Sequence, residues 1–177
     1  MCVPIRALRG VPASRLLRKI GMDENIPIDL EPILQRCNII ARPFDFSCLE
    51  EHPDFEKEIQ AKGHILGVII SDPDIAGILY KKDEAPDVQR FIIGHELGHC
   101  ATLTEPLDQF VEFCKDYISG EDKEKYANAF ASELLIPEKP LMQMCQLPGI
   151  SLHVLSKAFA VPAFLMGTRL KNLKLSV

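Results

Sequence analysis

Between Arg90 and Leu103 the chain reads RFIIGHELGHCATL, which sets His95, Glu96 and His99 inside an otherwise apolar stretch. Few folds can take such a segment. Val88, Phe91, Ile92, Leu97 and Cys100 recur at helical spacing, and Pro86 suits a first helical turn, so a helix is predicted over about 86–103. Gly94 and Gly98 lie inside it, and each costs roughly 1 kcal/mol relative to alanine in a helix interior. Two glycines so close together predict that another backbone approaches this helix.

Positions i and i+4 of a helix share a face, so the imidazoles of His95 and His99 can hold one ion. Zinc suits them, because it accepts neutral imidazole nitrogens in a tetrahedral site. Glu96 is rotated by about 100° from His95 and can reach a water without being a ligand. It could take that water's proton and pass it to a leaving amine. A third ligand must come from elsewhere, and Glu121, Asp122, Glu124 and Glu133 are the candidates downstream. On their helix the apolar set Ala127, Phe130, Ala131, Leu134 and Leu135 centres about 60° from Glu124, and Glu133 and Glu121 each lie about 120° from it. Glu124 is therefore the carboxylate that points inward, where a charge without a cation would be costly. Asn128, one turn on, faces the same side and can hydrogen-bond a ligand from behind.

The rest of the chain predicts an α+β class, mostly helical, with a small antiparallel sheet preceding the HELGH helix. Short helices are expected near 13–20 and over IDLEPILQRCNI, followed by an extended segment at 38–44 and a loop over 45–63. HILGVII and IAGILY flank a DPD turn and read as a hairpin. A helical stretch is expected near 107–118, then a helix that Ser119 and Asp122 introduce and Pro137 ends. One or two helices broken near Val161-Pro162 complete the chain. The expected division is a domain over 1–150 and a helical extension over 151–177, packed on the domain or continuous with it. Leu152–Leu173 hints at a helix-turn-helix, although packing helices produce the same pattern.

The chain has 177 residues with 20 Lys+Arg against 25 Asp+Glu, unevenly placed. Residues 1–22 carry five basic and no acidic side chains, and 140–177 carry only Lys157, Arg169, Lys171 and Lys174. The acidic centre between them suits a cation and argues against a dedicated nucleic-acid surface. No apolar run approaches the ~18 residues of a membrane span, and the N-terminus does not read as a secretory signal. A cytoplasmic protein is expected, its six cysteines reduced thiols with no CxxC pair among them. His52, His64 and His153 have no partner at ligand spacing. Tyr80, Tyr117 and Tyr126 could each donate to an oxyanion, though Tyr126 points away from Glu124.

RFIIGHELGHCATL followed by EKYANAFASELLIP resembles the paired signature of the ImmA/IrrE metallopeptidases. LLRKIGMDENIPIDLEPILQRCNIIARP, ILGVIISDPDIAGILYKKD and VLSKAFAVPAFLMGTRLKNLKL resemble the family's flanking segments, so the likeness runs nearly end to end. Gly94 stands where the family usually has alanine, and Cys100 where it usually has an aromatic or aliphatic residue. The resemblance implies a minimal gluzincin-like zinc peptidase, with His95, His99 and Glu124 as ligands and Glu96 as general base. It also implies a protein substrate, such as a helix-turn-helix repressor of a mobile element or stress response encoded nearby. An extended substrate is expected to add to the edge strand of the hairpin. The competing reading is a zinc-containing regulatory module that binds DNA or protein through its basic C-terminal helices without proteolysis.

Overall fold

The computed structural model describes residues 8, 10–47, 65–71, 76–102, 110–114 and 122–177. Two short helices open the chain where the apolar period predicts them. α1 (Ala13–Ile20) buries Ala13 and Leu17, and α2 (Glu31–Arg36) buries Ile33 and Leu34. β1 (Ile39–Phe44), β2 (Gly67–Ser71) and β3 (Ala76–Lys81) follow, then the long helix α3 (Pro86–Thr102). β4 (Phe110–Cys114) and α4 (Asp122–Leu135) come next. The chain finishes with α5 (Glu138–Cys145), α6 (Leu152–Phe159) and α7 (Ala163–Asn172). Ser151 caps α6 by accepting from the Val154 N–H, and Pro162 opens α7. The class is α+β, as the sequence predicts.

The sheet corrects three expectations. Its strand order is β1-β3-β2-β4. β2 and β3 form the expected antiparallel hairpin, with Ile69 opposite Ile78, but β1 runs parallel to β3, with Ile39 opposite Ala76. The sheet is thus mixed. Among the described residues β1 pairs with β3 alone, a place that tolerates Pro43, which has no N–H to give. The stretch expected as a helix near 107–118 holds β4, antiparallel to β2 with Gly67 opposite Cys114. A β2 of consecutive Val and Ile residues presents an open row of N–H and C=O groups, and pairing them outweighs the local period. It follows that both hairpin strands are interior. Among the described residues the edges are β1 and β4.

Alternate side chains leave the sheet on opposite faces. Ile69, Ile78, Ala76 and Ile39 join the helices in the main core. Val68 and Leu79 pack on the other face with Phe44, Phe46 and Ile65. Phe91, Leu97, Leu134 and Leu135 of α3 and α4 share the main core with Leu155, Phe159, Leu165, Met166 and Leu170 of α6 and α7. Arg90 ties these layers together: its Nε donates to Ala160 O at 3.1 Å and its Nη2 to Ile28 O at 2.6 Å. Among the described residues no helix is long and apolar enough to cross a membrane.

Candidate metal centre

α3 and α4 make the most extensive helix contact in the fold. Gly98 permits it, because a Cβ there would lie 2.7 Å from Ala127 Cα and 2.9 Å from Ala127 O. Gly94 is less constrained, its nearest neighbours being Leu135 Cδ1 at 3.3 Å and Ala131 Cβ at 3.5 Å. The approach predicted from the two glycines is backbone contact at Gly98 and side-chain contact at Gly94.

This close crossing brings one turn of α3 against the first turn of α4. His95 and His99 are fully buried, and the Glu124 residue is 9% exposed. His95 Nε2 lies 2.9 Å from His99 Nε2 and 3.1 Å from Glu124 Oε2, and His99 Nε2 lies 3.3 Å from Glu124 Oε1. An ion bound tetrahedrally at ~2.0–2.1 Å sets its ligand atoms about 3.3 Å apart, so the donor set fits one divalent ion. Asn128 Oδ1 lies 2.9 Å from His95 Nδ1. A carbonyl oxygen can only accept, so Nδ1 carries the proton and the Nε2 lone pair faces Glu124 and His99. The hydrogen bond expected from the position of Asn128 is therefore present. The pocket is arranged for positive charge. Burial pushes the Glu124 carboxyl up, but hydrogen bonds from His95 and His99 and their positive charge, which require imidazoles protonated in place of the inward lone pair, hold it down at about 2.

Glu96 is fully buried on the adjoining side of α3, against Gly67 of β2. Of the alternative carboxylates, the Asp122 side chain is fully exposed and pairs with Lys125, and Glu133 lies half-buried beside Arg169. Glu121, His52, His64 and Tyr117 lie outside the described residues. Tyr126 stacks on Phe130 and is 37% exposed, Tyr80 is half-buried in β3, and His153 is exposed. Cys100 sits in the main core. Gly67 was not singled out from the sequence. The available signal is a lone glycine in a run of β-branched residues, which marks close approach of another group.

The sequence model of the IrrE N-terminal-like domain matches residues 58–171, well over half of the chain. The chain belongs to this peptidase family. The three residues of the cluster and its neighbour Glu96 fall within the matched span, as do the hairpin and most of α7. The IrrE-like domain is that of a metallopeptidase, and His95, His99 and Glu124 form a cluster that could hold its metal. No curated protein matches the chain.

Proposed function

We propose that this protein is a zinc-dependent endopeptidase that cuts a protein partner in the cytoplasm, with His95, His99 and Glu124 holding the ion and Glu96 as general base. The observation that carries this reading is the convergence of two imidazole nitrogens and one carboxylate, all within 4.8 Å of one another, from two packed helices. Two imidazoles and one carboxylate leave a fourth position open, the pattern of a catalytic rather than a structural zinc site. When bound, the ion would acidify water and polarise the scissile carbonyl.

The chain's own residues supply the rest. Asn128 fixes the His95 tautomer that faces inward. Glu96, one residue along α3 from His95, takes the proton of the attacking water and returns it to the leaving amine. Burial strengthens each of these interactions by excluding solvent. An extended substrate would add to β4, which among the described residues is the edge strand on the β2 side of the sheet. The partner class we favour is a helix-turn-helix repressor encoded nearby, an expectation that rests on the resemblance of the motifs. Direct binding to nucleic acid has less support, because Arg169 is turned inward, its Nε donating to Ile136 O at 3.2 Å.

The test is cleavage of the cognate repressor by zinc-loaded protein, compared with Glu96→Gln. The variant should bind zinc as the wild type does and lose on the order of 10²–10⁴-fold in kcat. Undiminished cleavage by Glu96→Gln would remove Glu96 from the mechanism.

A further inference from the structure

We propose that Gly67 is a positioning residue for Glu96, the absence of a side chain at this point of β2 being the space in which the Glu96 carboxylate lies. The inference rests on the reading of Glu96 as general base. A Cβ built on Gly67 would overlap Glu96 Oε1, and it would lie 2.8 Å from Ile92 Cγ2 and 3.1 Å from Glu96 Cδ. Real Cβ atoms essentially never come closer than 3.0 Å to such neighbours. Ile92 and Glu96 are one turn apart, so this is the face that α3 presents to the strand. Gly67 lies on the same side of the sheet as Ile69, which is fully buried in the helical core.

Neither backbone is free to withdraw. β2 is held on both sides, Gly67 standing opposite Tyr80 in β3 and opposite Cys114 in β4. α3 is held from its other side by the contact of Gly98 with Ala127, and at its start by the two hydrogen bonds of Arg90. What yields to a methyl group are the side chains of Ile92 and, with the deeper overlap, Glu96, which is fully buried and must turn its carboxylate away from its present place. Proton transfer demands a heavy-atom approach of about 2.6–3.2 Å. A displacement near 1 Å at the base is enough to cost about 100-fold in rate. The three atoms nearest that Cβ belong to Glu96 and Ile92 and none to the ligand cluster, so the ion should be indifferent to the change.

The experiment is Gly67→Ala in the full-length chain, alone and combined with Glu96→Ala. The single variant should bind zinc with wild-type stoichiometry and show KM within about twofold, with kcat lower by about 100-fold. Thermal melting of the four proteins gives a readout that needs no activity. Gly67→Ala should lower Tm in the wild-type background, and by less than half as much where Glu96 is already alanine, because the methyl then enters vacated space. If Gly67→Ala alone does not fold, recovery of the fold in the double variant supports the proposal, and failure of both overturns it. Equal Tm losses in the two backgrounds also overturn it, as does an unchanged kcat. A coupled Tm loss in a protein without peptidase activity would leave the Gly67–Glu96 contact standing and remove only the role given to Glu96.

Discussion

At the scale of single residues, the centre depends on how closely two helices can approach. Gly98 sets that distance, since its missing Cβ is replaced by Ala127 Cα and O. Gly98→Ala must push α4 away from α3, carrying Glu124 from the imidazoles. Overpacking of this kind costs about 1–3 kcal/mol, and the variant should also bind zinc more weakly. Gly94→Ala should behave differently. Its Cβ meets the flexible end of Leu135 at 3.3 Å, and alanine is a better helix former by up to ~1 kcal/mol. Urea unfolding and zinc titration of both variants would check the pair, and equal behaviour would show that the crossing is set elsewhere. The family resemblance agrees with this asymmetry, because it places alanine at position 94. His95, His99, Glu124 and Asn128 were legible because each is fixed by rotation about a single helix axis. Gly67 was not, because its neighbour Glu96 is 29 positions away and across a strand–helix interface.

At the scale of elements, what could be read divides along the same line. The helices follow from their own apolar period, and the hairpin from two β-rich runs about a turn. Strand pairing has no such local signature. Nothing in Ile39–Phe44 states that it will run parallel to β3, and Phe110–Cys114 becomes a strand only because β2 offers it a ladder. The C-terminal helices show a related effect, since a basic composition says little about where each charge points. Arg169 spends its guanidinium on Ile136 O, and burial pushes its pKa down. Arg90 does similar work between layers. It joins the segment before α2, the start of α3 and the turn between α6 and α7 through Ile28 O and Ala160 O. Arg90→Met keeps the apolar stem but leaves both carbonyls without their donor. The loss should be on the order of 2 kcal/mol in urea unfolding, with faster amide exchange at Ala160 and Val161. Arg90→Lys should recover only part of it, because one ammonium cannot reproduce the fork of the guanidinium. Unaltered exchange in the α6–α7 turn would show that the turn is held by its core contacts alone.

At the scale of the whole molecule, the ion and the fold are linked, because the three donors come from two helices and lie in the protein interior. Zinc at about 1,000 times its dissociation constant should stabilise the protein by about 4 kcal/mol, so a chelator should lower Tm in proportion. With the ion removed, Glu124 brings a separate dependence on pH. Its carboxyl is held at about 2 in the folded protein, against an ordinary value of 4.5. A group whose folded pKa is depressed favours the fold wherever it is ionised in both states. The contribution is therefore complete above about pH 4.5 and disappears as the pH falls through about 2. Glu124→Gln cannot titrate, so the difference between chelated wild type and variant should shrink as the pH falls from about 4.5 to about 2. Urea midpoints measured from pH 7 down to pH 2 would show this, whereas a constant gap would mean that the imidazoles do not hold the carboxylate ionised.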